Sequence, residues 1–231
     1  MSWKTDYRSI YYLDAPEPPD IALKPEETAL LVIDVQNTYR KRPDREALPP
    51  GKQALFDLWT PFYERLERLV IPNTRDMLDR FRSHGIECLF ARIASHTRHG
   101  RERSLSHRKP GWNDLLLPKD DWDSQIVDEL APQGEEIVVH KMTDSALTGS
   151  NLRLLLHNLG IRNVVCAGVF TDQCVSSTVR SLADESYNVI VLEDCCAAGS
   201  EELHHKELEI INMIYCQVMS SRELKQLMRL N

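Results

Sequence analysis

Three residues of reactive type stand at the ends of apolar runs. Asp34 closes TALLVID (Thr28 to Asp34), Lys141 follows EIVVH (Glu136 to His140), and Cys174 lies shortly after RNVVCAGV (Arg162 to Val169). A thiol placed where a strand turns into a helix meets unpaired backbone N–H groups and the positive end of the helix dipole, which favour thiolate over thiol. An ammonium such as Lys141 lowers a neighbouring thiol further, and a carboxylate such as Asp34 takes the proton and returns it to a leaving amine. Each residue also has an ordinary structural reading: an aspartate as a strand-end cap, a lysine in solvent, a cysteine in the core. Their joint occurrence at three corresponding strand ends favours the chemical reading, attack of a thiolate on a carbonyl.

For these side chains to meet, the runs that carry them must be neighbours in one sheet. Besides the three already named, the apolar runs are Ile86 to Ile93, Tyr187 to Glu193 and Ile214 to Met219. Runs that are apolar at successive positions suit strands buried on both faces, as in parallel sheets. Helical spacing intervenes over Val70 to Ser83, stopped at His84-Gly85, and over Leu152, Leu155, Leu156 and Leu159, stopped at Gly160. Asp172 to Leu182, Glu201 to Met213 and Ser221 to Met228 add three helices, with Ser221 and Glu223 one place short of an ideal capping box. The alternation predicts an α/β fold, a three-layer αβα sandwich around a central, mostly parallel six-stranded doubly wound sheet. A length of 231 residues suits a single domain over 1–231.

Two stretches break the rhythm. Arg40 to Pro61 is a proline-bearing insertion after the first strand, and Ser95 to Asp123, rich in Arg and His, follows the second. Loops past the carboxyl ends of parallel strands are where such sheets bind ligands, so both are candidate pocket walls. His204 and His205 point about 100° apart on a helix and read as a solvated helix start. Cys195 and Cys196 read as core packing.

The net charge of −7 and pI near 5.6 give no positive field for nucleic acid. No apolar run reaches the roughly 20 residues of a membrane span, and the polar, proline-bearing start is unlike a signal peptide, so the expectation is a cytoplasmic protein. Six cysteines without a CxxC pair suggest reduced thiols, not a disulfide framework or a zinc site.

The segments Leu31-Val32-Ile33-Asp34-Val35-Gln36-Asn37, Val139-His140-Lys141 and Ala167-Gly168-Val169-Phe170-Thr171-Asp172-Gln173-Cys174-Val175 resemble the three signature segments of the isochorismatase-like cysteine hydrolases. That family includes nicotinamidases, N-carbamoylsarcosine amidase, ureidoacrylate amidohydrolase and biuret hydrolase. The resemblance spans roughly residues 28 to 220, in order and on the predicted elements. It implies a catalytic triad of Asp34, Lys141 and Cys174. It also implies a cis peptide bond between Val169 and Phe170, and an oxyanion hole from the backbone N–H groups of Phe170 and Cys174. The expected reaction is hydrolysis of the C–N bond of a small amide or ureide, in a homo-oligomer (dimer or tetramer), with no cofactor.

Nicotinamidases of this family carry an Asp-x-His metal motif. Here the corresponding stretch reads Arg92-Ile93-Ala94-Ser95-His96-Thr97-Arg98-His99, with no Asp two residues before a His, so no metal is expected. Isochorismatases proper cleave a vinyl ether and lack the nucleophilic cysteine; Cys174 argues against that branch. A catalytically silent member that binds a ligand or partner is the alternative of another class, as is a nicotinamidase-type amidase within the enzymes. Candidate substrate contacts are Gln36 in the first signature segment, Tyr39 and Arg40 just beyond it, Trp112 in the second insertion and Gln217 on the last strand. Trp59 and Phe170 are further candidates for apolar walls, and each basic residue serves equally as a solvated loop or subunit contact.

Overall fold

The computed structural model describes residues 2–111 and 113–230. Six strands form one sheet in the order β3-β2-β1-β4-β5-β6: β1 (Thr28–Ile33), β2 (Glu87–Ile93), β3 (Ile137–Lys141), β4 (Asn163–Val169), β5 (Asn188–Ala197) and β6 (Gln217–Met219). Every pairing is parallel. β1 and β4 are buried at every position, which is why their sequences are apolar without alternation.

Helices cover both faces. Leu30, Val32, Phe90, Val165 and Ile190 point to one side and pack on Phe62 of α3 (Thr60–Arg65), on Met77, Leu78 and Phe81 of α4 (Ile71–Ser83), and on Leu224 of α8 (Ser221–Met228). Ala29, Leu31, Ile33, Leu89 and Val191 point to the other, against Leu152 and Leu156 of α5 (Leu152–Asn158), Val179 and Leu182 of α6 (Ser176–Asp184), and Leu208 of α7 (Glu201–Ile211). The result is the three-layer, doubly wound sandwich. Its strand order reverses between β1 and β4, so the connections leaving those two strands diverge and open a crevice at their carboxyl ends.

Several boundaries differ from the sequence reading. The helix placed at Val70 to Ser83 starts at Thr60 and passes through a π-helical turn, Leu66–Val70, before α4. The insertion after β1 holds the short α1 (Asn37–Arg40) and α2 (Pro50–Leu58). Its prolines are partly helix starters: Pro50 and Pro61 occupy first-turn positions, where the missing N–H costs nothing. β5 continues through Glu193 to Ala197 and places Cys195 and Cys196 in the core. The capping box of α8 belongs to Ser220, whose hydroxyl accepts from Glu223 N–H, and not to Ser221.

Two backbone features shape the crevice floor. The Val169–Phe170 peptide bond is cis. Gly168, at φ 131°, lies so close to β1 that a Cβ there would stand 1.9 Å from the Ile33 carbonyl oxygen. Only glycine permits this approach of β4 to the end of β1.

Candidate active site

Asp34 is the first residue past β1 and takes positive φ, 54°. Its N–H donates to Ala91 O on β2 at 2.9 Å, and its Oδ1 accepts from Ile93 N–H at 2.9 Å. The side chain is thereby turned across the sheet end instead of into solvent. Lys141 ends β3, level with Ile93 on β2, and its stem reaches back over β2 to bring Nζ within 2.7 Å of Asp34 Oδ2. The same ammonium donates to Thr143 O at 3.1 Å. Both side chains are buried.

Cys174 arrives from the far side of the strand-order reversal. It lies in a π-helical turn, Thr171–Val175, that continues into α6. The Asp34 carboxylate and the Lys141 ammonium both act electrostatically on its thiol. A second carboxylate, Asp144, holds Oδ1 3.9 Å from Sγ. Thr178 ties this region together, donating to Cys174 O at 2.7 Å and accepting from Ala146 N–H at 3.0 Å, while Ser145 Oγ donates to Ser181 Oγ at 2.9 Å. The loop after β3 is thus pinned to the helix that carries the thiol.

The electrostatics refine the sequence expectation. Burial, and then the Asp34 carboxylate, push the Cys174 thiol well above the ordinary thiol range, with Lys141 pulling the other way. The helix terminus does not outweigh burial, which favours the thiol over the thiolate. Burial also raises the Asp34 carboxyl, and Lys141 offsets part of that rise. For Lys141, burial acts to lower the ammonium, but Asp34 and Cys174 beside it outweigh burial and raise it. Asp144 moves the other way from Asp34: the hydrogen bond from His107 Nε2, at 3.1 Å, holds its carboxyl below the usual range. Of the two carboxylates beside the sulfur, Asp34 is therefore the stronger base.

An aromatic wall flanks the turn. Phe170 packs edge-on against Tyr39, with centroids 5.1 Å apart, and against Trp59 at 5.9 Å, with Phe62 behind it at 4.8 Å. Burial raises the Tyr39 hydroxyl well above its usual range, and the charges of Asp34, Cys174 and Asp144 add to the rise. Tyr39 is thus within the field of the reactive group.

The remaining substrate candidates divide. Arg40 is not free for a ligand: it pairs with Glu67 (Nε to Oε1, 2.6 Å) and with Glu129 (Nη1 to Oε1, 2.8 Å). Gln36 is buried and fully engaged, its Nε2 donating to Ile93 O and Ser124 O and its Oε1 accepting from Ile93 N–H. Its role is to hold the ends of β1 and β2 together. Gln217 lies short of the carboxyl end of the sheet where Asp34 stands. It pairs with Ile190, which is level with Val165 and Leu30, four residues short of Asp34, or about 13 Å along the strand. Trp112 lies outside the described residues.

Three participants escaped the sequence reading. Asp144 and His107 have no motif, and only the fold brings the second insertion against the loop after β3. His204 is the third, and here the expectation of a solvated helix start is overturned, because α7 packs that face against β5 and the turn of Cys174. Its Nε2 accepts from Arg65 Nη2 at 2.8 Å, so Nδ1 carries the proton and donates to Thr171 Oγ1 at 2.8 Å. Among the described residues, no three His, Cys, Asp or Glu side chains gather as a metal site.

Comparison with known proteins agrees with this geometry. The isochorismatase domain matches residues 28–223. A ureidoacrylate amidohydrolase RutB from Stutzerimonas stutzeri is 32% identical over 221 residues, covering 89% of this chain and 83% of the relative. The RutB enzyme of Acinetobacter baylyi is 29% identical over 213 residues, with 86% and 82% covered. Among solved structures, an isochorismatase-like hydrolase from Alkaliphilus metalliredigens superposes with a TM-score of 0.65 at 26% identity, covering 87% of this chain and 98% of that one. With the domain matched over most of its length and a sheet that brings its three signature segments to one crevice, the chain belongs to the isochorismatase-like hydrolase family.

Proposed function

We propose that the chain is a cysteine-dependent amidohydrolase that cleaves the C–N bond of a small amide or ureide through a thioester on Cys174. The observation that carries this reading is the buried Asp34–Lys141 pair at 2.7 Å, whose two charges act in opposite directions on the buried Cys174 thiol. The curated relatives named as ureidoacrylate amidohydrolases support the bond class.

In this mechanism Asp34, the stronger base of the two neighbouring carboxylates, takes the Cys174 proton as sulfur attacks the carbonyl carbon. The Lys141 ammonium stabilises the negative charge that passes between oxygen and sulfur. The carbonyl oxygen becomes an oxyanion held by the backbone N–H groups of Phe170 and Cys174. As the intermediate collapses the C–N bond breaks, and the departing nitrogen takes the proton from Asp34. Water then attacks the thioester, giving its proton to Asp34, and the acid leaves as the thiol is restored. A raised thiol suits this order, because the proton need move only when a carbonyl is in place. Tyr39 and Phe170 form the wall of a pocket for a small planar substrate, and all six cysteines are free, which supports a cytoplasmic setting. A homo-oligomer remains part of the reading on family resemblance.

The test is ammonia release from ureidoacrylate, biuret, N-carbamoyl amino acids, maleamate and nicotinamide, with mass spectrometry of the quenched enzyme. Turnover of at least one substrate with an acyl adduct on Cys174, absent in Cys174→Ala, is the expected result. Failure on every amide and ureide, with a folded protein, overturns the reading in favour of a silent ligand-binding member.

A further inference from the structure

Asp144 stands beside the sulfur but outside the triad. Its loop follows Lys141, and its carboxylate is held on one side by the wholly buried His107. The hydrogen bonds it accepts, from His107 Nε2 and Cys174 Sγ, both fall on Oδ1. His107 Nδ1 has no partner among the described residues, so the contact that fixes this ring's polar edge is the one to Asp144. The Asp144 side chain is 41% exposed and lines an open cleft of about 540 Å³ whose wall also includes Asp172, Gln173 and Arg180. The one cationic residue of that group, Arg180, is already paired with Glu207 at 2.8 Å. The wall of this cleft therefore carries a held carboxylate whose Oδ1 lies 3.9 Å from the buried Cys174 Sγ behind it and, among its described residues, no unpaired cation.

A carboxylate is an acceptor only, with room for several donors. Resting on the reading of Cys174 as an amide-cleaving nucleophile, we infer that Asp144 is a specificity-determining residue that selects substrates presenting N–H donors beside the scissile carbonyl, as a ureide NH2 or an ammonium does, and rejects those presenting a carboxylate there. Such a donor bonds to Asp144 while the adjacent carbonyl carbon faces Sγ. A carboxylate in the same place meets like charge. The groups facing the thiol are Asp34, Lys141 and Asp144; the first two balance each other, so Asp144 decides which neighbouring charge the site accepts.

The test uses two alkylating probes that differ only at this position, iodoacetamide with its NH2 donors and iodoacetate with its carboxylate, at constant ionic strength. Modification of Cys174 is followed by peptide mass spectrometry, and the rate ratio is divided by the ratio for a small free thiol. In the wild-type protein the normalised ratio is expected to favour iodoacetamide at least tenfold. In Asp144→Asn, and in Asp144→Ser as a second variant, it should fall at least fivefold while the thermal unfolding midpoint shows each variant to be folded. A wild-type ratio near one, or a ratio unchanged in whichever variant folds, overturns the inference. Because alkylation needs no turnover, these outcomes are independent of whether any amide is hydrolysed; loss of all amidase activity would sink the function proposed above and leave this ratio to be read separately.

Discussion

Lys141 Nζ lies 2.7 Å from Asp34 Oδ2, with the two side chains 0% and 1% exposed. Ions this deep are tolerated only as a pair, and removing one partner leaves an uncompensated charge that costs about 3–5 kcal/mol. Lys141→Met and Asp34→Asn are each expected to lose that much stability in urea unfolding. The double variant should recover most of it, because no isolated charge remains. All three should be inactive, so recovery of stability without recovery of turnover separates the pair's structural role from its chemical one.

The raised Cys174 thiol has a kinetic signature. Thiolate forms only as pH climbs through the elevated value, so the rate of Cys174 alkylation by iodoacetamide should keep rising, about tenfold per pH unit, beyond pH 9. Removing the Asp34 carboxylate withdraws a charge that opposes the thiolate and leaves Lys141 to favour it. In Asp34→Asn the profile should therefore shift to lower pH. A plateau near pH 7 in the wild-type protein would instead mark a preformed thiolate.

Gly168 is tested by adding one carbon. A Cβ at this position meets the Ile33 carbonyl oxygen at 1.9 Å, a backbone atom that cannot rotate away, and φ of 131° suits no L side chain. Gly168→Ala must separate β1 from β4, and an expected cost of about 3 kcal/mol or more follows from overpacking combined with backbone strain. Activity should fall further than stability accounts for, since Asp34 and Cys174 follow these two strands. Thermal unfolding and kcat on the same samples give the comparison.

His204 gives the fold an acid limit. Burial, and then the nearby Arg65 charge, lower its pKa from 6.5 to about 3. A depressed value means that the unfolded chain takes up a proton where the folded one does not. The associated stability, about 4–5 kcal/mol for such a shift, is complete above pH 6.5 and is lost as pH falls toward 3. His204→Gln should flatten the decline of unfolding free energy between pH 6 and pH 4. The same substitution loosens Thr171, which opens the turn that carries Cys174, so kcat should fall more than KM rises.

What was legible in the sequence was what depends on local pattern. Strands buried on both faces, such as β1 and β4, write their burial as unbroken apolar runs, and Asp34, Lys141 and Cys174 stand at fixed places after such runs. Side chains whose meaning depends on contacts across the fold were not legible. Arg40 reads as a ligand for carboxylates until Glu67 and Glu129 close on it, and Gln217 reads as a pocket residue until strand register puts it level with Leu30. His204 belongs to a helix start that looks solvated because its neighbours are charged; only the packing of α7 shows which of two adjacent histidines turns inward. Asp144 and His107 are 37 residues apart and meet through loops whose path no periodicity records.

Tyr39 and Arg40 are adjacent in sequence and are expected to behave oppositely. Tyr39 faces the charges of Asp34, Cys174 and Asp144 and packs on Phe170, whereas Arg40 turns to Glu67 and Glu129. Tyr39→Phe keeps the ring contact and removes the hydroxyl. If that hydroxyl bonds a substrate polar atom, its loss costs about 1 kcal/mol, or roughly a fivefold rise in KM. Arg40→Gln should leave KM unchanged and reduce stability by about 1 kcal/mol or less, because its ion pairs are partly solvated. Steady-state kinetics of the two variants on one substrate decide the matter: a large KM effect at Arg40 with none at Tyr39 would place the substrate on the opposite side of α1 from the aromatic wall.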